Sequence, residues 1–312
     1  MKRRSALKML SAVGALPLMS AVPDSPHAQT SNIQSPQNML TRPIPSSGER
    51  LPVIGLGTWQ SFDVGADAAA RAPLEDVLHA FVQLGGKLID SSPMYGRAET
   101  VAGDLIAKSG VREKLFIATK VWITGKDAGI AQMEGSIAKL RTSTPARAID
   151  LMQVHNLLDM ETHLHTLADW KKQGRVRYVG VTHYTPSAYV AVAKAIELHK
   201  LDFLQINYSV GEREAEQRLL PMARERDIAV IVNRPFAGGG LIRRLNSLPV
   251  PAWASEIDCT SWAQLLLKFV VSHPAVTCAI PATSKIEHLR DNMSAGSGKM
   301  PNEKMRAMIA AI

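Results

Sequence analysis

Asp90, Tyr95, Lys120 and His155 each stand at or just beyond the end of a short apolar run. In residues 88–96 (Leu-Ile-Asp-Ser-Ser-Pro-Met-Tyr-Gly), Leu88 and Ile89 close a buried strand, Asp90 follows, and Tyr95 comes after a short turn. ATK (118–120) brings Lys120 to the end of the next run, and QVH (153–155) ends on His155. Singly, each has an ordinary reading: a packed phenol with a wet hydroxyl, an interior imidazole, a surface lysine. At neighbouring strand ends the reading changes, because a buried Lys and a buried Asp each need the other to offset desolvation. The Lys120 ammonium would then favour the Tyr95 phenolate and lower its pKa from about 10. Asp90 would keep Lys120 charged and oriented. A phenol so tuned can give a proton to a developing alkoxide, and His155 can hydrogen-bond the same carbonyl oxygen. No side chain supplies hydride, so carbonyl reduction here requires a cofactor.

These residues must be positioned by a regular scaffold. From residue 50 onwards short apolar runs alternate with longer runs of helical spacing. The strands expected are 51–56, 87–90, 115–121, 149–155, 176–181, 203–208, 229–234 and 276–280. Helices are expected at 74–84, 98–108, 129–141, 163–173, 187–198, 214–227, 261–272 and 286–295. Such alternation implies a parallel sheet. Eight units in about 250 residues predict an α/β fold of the (β/α)8 TIM-barrel type, a single domain. A doubly wound open sheet is the alternative, disfavoured because no Gly-x-Gly-x-x-Gly turn follows an early strand. In a barrel, chemistry collects on the loops after the C-terminal strand ends. The remaining strand ends carry Thr182-His183, Gln205-x-Asn207-Tyr208, Asn233-Arg234 and Pro281–Lys285.

The chain has 312 residues, is 46% hydrophobic and 21% charged, and has a formal net charge of +8. Its basic residues are scattered, which describes a solvated surface and excludes a nucleic-acid face. Two cysteines, Cys259 and Cys278, allow at most one bridge and read as buried free thiols. No metal-ligand cluster is visible: His163-x-His165 lies on a predicted helix, where its side chains diverge. Residues 1–28 begin with Lys2, Arg3, Arg4 and Lys8, continue with an uncharged apolar stretch from Met9 to Val22, and end on Ala28. That stretch is short for a stable membrane span and reads as an export signal. Arg3-Arg4 with Leu7 and Lys8 resembles a twin-arginine signal, which implies the twin-arginine export machinery as a partner and a periplasmic or exported location. Lys2 and Ala6 depart from its usual residues. Residues 29–48 read as a linker and residues 49–312 as the barrel domain.

The chain resembles the aldo-keto reductases over residues 50–295. The resemblance is carried by GLGTW (55–59), the stretch from Asp90 through Ser91, Ser92, Pro93 and Met94 to Tyr95-Gly96, ATK (118–120), QVHN (153–156), YVGVTHY (178–184), LQINYS (204–209) and IPATSKIEHLRDN (280–292). It implies a catalytic tetrad of Asp90, Tyr95, Lys120 and His155, with hydride passing from a nicotinamide cofactor to a carbonyl carbon and Tyr95 as general acid. It also implies cofactor contacts from Gly57 and Thr58 at the first strand end. Thr182, His183 and Gln205 would meet the carboxamide, Tyr208 would stack on the nicotinamide, and Pro235, Gly238, Gly239 and Leu241 would lie near the pyrophosphate. Thr283, Ser284, Lys285, His288 and Asn292 fall at the adenosine end. Three places depart from the family pattern: His183 stands where an Asn is usual, Ala282 where a Lys or Gly is, and His288 where an Arg clasps the 2′-phosphate. NADP(H) is the expected cofactor, with NAD(H) as the alternative. Trp59, Met94 and Trp122 are the expected substrate pocket, suited to apolar or aromatic carbonyls. A nicotinamide-binding sensor or regulatory subunit with little turnover is the second reading of the same barrel.

Overall fold

The structure is a computed structural model and describes residues 39–142 and 148–312. The export signal read in residues 1–28 lies outside the described residues, as does the linker as far as residue 38. A short antiparallel hairpin comes first, β1 (Thr41–Pro43) with β2 (Arg50–Pro52). Then follow β3 (Leu56–Gly57), α1 (Ala68–Gln83), β4 (Leu88–Asp90), α2 (Ala98–Ser109), β5 (Phe116–Val121) and α3 (Lys126–Lys139). The middle of the chain forms β6 (Ile149–His155), α4 (Met160–Lys172), β7 (Val176–Thr182), α5 (Tyr189–Leu198), β8 (Phe203–Asn207) and α6 (Leu219–Glu225). The last elements are β9 (Ala229–Asn233), α7 (Gly240–Leu245), α8 (Trp262–Ser272), β10 (Val276–Ala279), α9 (Ile286–Ser294) and α10 (Glu303–Ala310). Strands β3 to β10 form one eight-stranded parallel sheet in sequence order. Parallel bridges Ile54–Ala279 and Gly57–Ala282 bring its two edges together, so the sheet closes into a (β/α)8 barrel.

Alternation along the strands sorts the apolar residues into two layers. Leu88, Phe116, Leu151, Tyr178, Phe203, Ala229 and Ile231 fill the inside of the barrel with Ile44 and Leu51 from the hairpin arm. Phe116 and Tyr178 stack at 5.7 Å, and Tyr178 meets Phe203 edge-on at 5.5 Å. The alternate residues Ile89, Ile117, Met152, Val179, Leu204 and Val230 belong to the core between strands and helices. Continuing the inward parity toward the C-terminal ends gives Asp90, Lys120, Gln153, His155, Thr182, Gln205, Asn207 and Asn233. An aromatic floor thus supports a polar ceiling, and the site is built on that ceiling.

The structure departs from the sequence expectations in several places. The first barrel strand is only Leu56–Gly57, while Leu51 and Pro52 belong to the hairpin. The chain packs closely here: a Cβ on Gly57 would lie 2.8 Å from the Ile280 carbonyl oxygen. Residues 41–43, expected in the linker, pair with β2, and Ile44 behind them is fully buried beneath the barrel. Helix α1 begins at Ala68 because the Asp67 side chain caps the Ala70 N–H, six residues before the apolar period starts. The helix expected at 214–227 is a 3-10 turn, Glu214–Gln217, followed by α6. Pro221 falls in the first turn of α6, where its missing N–H costs nothing. Helices α7 and α10, of 6 and 8 residues, are too short for their apolar period to stand out in sequence.

Candidate active site

Inward parity and parallel register put Asp90 beside Ala118, and Lys120 faces the same way two residues further along the adjacent strand. Lys120 Nζ donates to Asp90 Oδ2 at 2.6 Å and to the Ser91 carbonyl at 2.6 Å. Lys120 is fully buried and Asp90 is 2% exposed. The other carboxylate oxygen of Asp90, Oδ1, accepts from Gln205 Nε2 at 2.8 Å and from Gln153 Nε2 at 3.3 Å. Such saturation is what a buried carboxylate requires. Thr182 Oγ1 donates to Gln205 Oε1 at 3.2 Å and so orients that amide.

The turn after Asp90 swings Tyr95 back over this pair. The Lys120 ammonium lies 5.1 Å from the centroid of the Tyr95 ring. Burial alone would lower the Lys120 pKa, but Asp90 and Tyr95 hold it above its ordinary value, so it is charged. For Tyr95 the balance runs opposite to the sequence expectation. Burial of the phenol raises its pKa, Lys120 pulls it down, Asp90 pushes it up, and the net shift is upward. The desolvation cost of a phenolate outweighs the ammonium's attraction, so Tyr95 rests as a protonated donor.

His155 meets Tyr95 edge-to-face at 6.1 Å and lies tilted to Trp122 at 6.3 Å. Burial, with the charges of Lys120 and His183, lowers its pKa to about 3. It is a neutral imidazole across the physiological range. Its Nδ1 shares a hydrogen bond of 3.1 Å with the buried Ser92 hydroxyl.

These groups open onto a cleft of about 710 Å³ at the C-terminal strand ends. Asp90, Tyr95 and His155 line it, with Lys120 one layer beneath. Trp59, Met94 and Trp122, all exposed, form part of its wall. Of the expected cofactor positions, Gly57, Thr58, Thr182, Gln205, Pro235, Gly238, Gly239, Thr283, Ser284, Lys285 and His288 line the cleft.

The others do not. Tyr208 is fully buried, packs on Phe269 at 5.7 Å and His273 at 5.8 Å, and receives a hydrogen bond from Arg306 at 2.9 Å. Its hydroxyl donates to Glu216. Tyr208 is therefore a core residue turned away from the cleft and cannot stack on a ring bound there. Leu241 and Asn292 are likewise buried outside the lining. His183 turns its Nδ1 back onto its own loop, accepting from the Tyr184 N–H at 3.0 Å and the Thr185 N–H at 3.3 Å.

Several lining residues carry no assigned role in the sequence analysis. Asn156, Tyr184, Asn233, Arg234 and Phe236 all face the cleft. Arg234 sits in left-handed backbone at φ 51°, with its guanidinium 6.0 Å from the Tyr184 ring. Its sequence signal was its place at the end of β9. Gln153 was also missed, although its inward parity beside Lys120 points it at Asp90.

A family model, the aldo/keto reductase family, matches residues 53–312. Methylglyoxal reductase YeaE of Escherichia coli strain K12 is 32% identical over 264 residues, covering 81% of this chain and 89% of its own. An aldo/keto reductase from Klebsiella pneumoniae, solved in complex with NADP and acetate, is 27% identical with a TM-score of 0.71, covering 85% of this chain and 92% of its own. A thermostable aldo-keto reductase, Tm1743, solved with the inhibitor epalrestat, is 26% identical with a TM-score of 0.72, covering 88% and 99%. With an eight-stranded barrel whose strand ends gather these residues in one cleft, and a family match spanning all of it, the chain is an oxidoreductase and belongs to the aldo/keto reductase family.

Proposed function

We propose that this enzyme reduces an aldehyde or ketone to an alcohol with NADP(H), and that Tyr95 is the general acid. The observation that carries the reading is the buried Asp90–Lys120 pair set beneath the protonated Tyr95 phenol at the cleft floor. Reduced nicotinamide, when bound, supplies the hydride. Tyr95 gives its proton to the carbonyl oxygen as negative charge develops there. The phenolate left behind is stabilised by the Lys120 ammonium, which Asp90 keeps in place. His155, held neutral, adds a hydrogen bond to the same oxygen and fixes its direction.

The cleft suits the cofactor. Among the described residues Asn156 Oδ1 and Asn233 Oδ1 are buried acceptors without a hydrogen-bond partner, and both residues line the cleft. A carboxamide N–H would satisfy such an acceptor. Lys285 and His288, exposed along the same cleft, and Arg234 at its rim are suited to phosphates. The NADP complex of the Klebsiella pneumoniae relative supports NADP(H) over NAD(H). For the substrate, Trp59, Met94 and Trp122 favour apolar or aromatic carbonyls. The name of the Escherichia coli relative adds methylglyoxal as a first compound to try. Turnover is tested by loss of NADPH absorbance across a panel of small aldehydes, with Tyr95→Phe as control.

We infer from sequence that residues 1–28 are a twin-arginine-type export signal, with 49–312 as the barrel domain working in the periplasm. Export of folded protein would let cofactor load first. Fusing residues 1–28 to a folded reporter tests this: transport is expected, and Arg3→Lys with Arg4→Lys should abolish it. Among the described residues no helix is long and apolar enough to cross a membrane.

A further inference from the structure

His155 is neutral, so one ring nitrogen carries a proton and the other does not. Which one decides whether the cleft meets a donor or an acceptor. Nδ1 is engaged with Ser92 Oγ at 3.1 Å. Among the described residues no protein group bonds Nε2, and His155 contributes to the cleft wall. The edge offered to a ligand is therefore Nε2.

Ser92 settles the choice through its own bonding. It is fully buried, and its Oγ lies 3.4 Å from the Met94 N–H, which can only donate. That occupies Oγ as an acceptor. The hydroxyl proton then has a single acceptor among the described residues, His155 Nδ1. Were Nδ1 protonated instead, both neighbours of Oγ would be donors and the buried hydroxyl proton would have no partner, an arrangement folded proteins avoid. The turn that carries Ser92 is itself fixed: the Tyr95 N–H bonds the Ser92 carbonyl at 3.0 Å, and Ser91 Oγ accepts from Thr58 Oγ1 at 2.9 Å.

We propose that Ser92 is a positioning residue that locks His155 in the Nε2–H form, so that the neutral imidazole presents a hydrogen-bond donor to the substrate carbonyl oxygen beside the Tyr95 hydroxyl. The donor role rests on the carbonyl-reduction reading, and the tautomer does not. Two fixed donors then converge on one oxygen, and neither must reorient as charge grows there. The spacing Ser92-x-x-Tyr95 means that one short turn sets both. No proton leaves His155 in the step: it donates a hydrogen bond while Tyr95 transfers the proton.

The test uses full-length protein labelled with 15N in histidine. The His155 resonances, assigned by their loss in His155→Gln, should show protonated Nε2 and bare Nδ1 at pH 7. Ser92→Ala should abolish this single-tautomer pattern. It should also lower kcat roughly tenfold, with NADPH Kd, read by fluorescence titration, changed less than about twofold. Ser92→Thr keeps the hydroxyl and should restore both the pattern and kcat. Protonated Nδ1 in the wild type, an unchanged tautomer in Ser92→Ala, or a Ser92→Thr enzyme that binds NADPH yet matches Ser92→Ala would each overturn the proposal. Because the spectrum needs no substrate, a failure of the tautomer assignment is distinguishable from a failure to reduce any carbonyl.

Discussion

Lys120 Nζ and Asp90 Oδ2 sit 2.6 Å apart on adjacent strands, the lysine fully out of water and the aspartate nearly so. A pair this buried is held by its geometry, and removing one partner leaves an uncompensated charge. Lys120→Met and Asp90→Asn should each cost about 3–5 kcal/mol in urea unfolding. The double variant should lose less than the sum of the two, since neither charge is then left alone. Strict additivity would show that the pair is not coupled as described.

Tyr208 makes a sharper case because sequence and structure disagree about it. Its hydroxyl bonds the partly buried Glu216 and Arg306, away from the cleft. Tyr208→Phe is expected to lower stability by about 1–3 kcal/mol, the cost of unsatisfied polar partners, while NADPH Kd stays within about twofold in a fluorescence titration. A weakened cofactor with unchanged stability would return Tyr208 to the cleft.

That disagreement marks how far the sequence could be read. Strand alternation and the strand-end rule bring Asp90, Lys120 and His155 to the barrel mouth, because their positions depend only on local period and barrel symmetry, whereas Tyr95, five residues past β4, is placed by its turn. The resemblance at LQINYS points Tyr208 at the cofactor, but parity points the other way: Phe203, Gln205 and Asn207 face into the barrel, so residue 208 falls on the outward side, where its ring is buried in the core. Arg234, named at the end of β9, has no role in the resemblance, and a left-handed backbone just past the strand sets its direction. The sign of the Tyr95 shift was not legible either, since it depends on how deeply the phenol is buried. The hairpin under the barrel escaped notice because its strands are three residues each, too short for period to show.

The loop carrying Trp122 is pinned by side chains from two helices. Gln132 Oε1 accepts from the Trp122 N–H at 2.6 Å, Gln132 Nε2 donates to the Trp122 carbonyl at 3.3 Å, and His163 Nε2 lies 2.6 Å from the Ile123 carbonyl. Gln132→Ala should free the wall that Trp122 provides. The expected result is a KM for aromatic aldehydes raised roughly threefold to tenfold, with NADPH affinity unchanged. Steady-state kinetics on benzaldehyde against a small aliphatic aldehyde would read this, and an equal change for both would argue against it.

Acid should destabilise the fold partly through His155. Its ordinary pKa is 6.5 and its value in the fold about 3, so between these the unfolded chain takes up a proton that the folded chain refuses. Stability then rises with pH up to about 6.5 and is lost progressively on acidification toward 3. His273, lowered to about 4 by burial and then by Arg306, acts with the same sign. His155→Phe should flatten the dependence of unfolding free energy on pH between 6.5 and 4, as measured by urea titration at several pH values. An unchanged slope would mean that His155 does not carry this burden.

Everything proposed for the cleft turns on Tyr95, set over the buried Asp90–Lys120 pair, giving the proton while a bound nicotinamide gives the hydride. The decisive measurement is single-turnover oxidation of bound NADPH by an aldehyde, wild type against Tyr95→Phe. Tyr95→Phe should still bind NADPH with near wild-type Kd but lose at least about a hundredfold in the rate of absorbance decay. Equal rates for the two proteins would show that the proton comes from elsewhere.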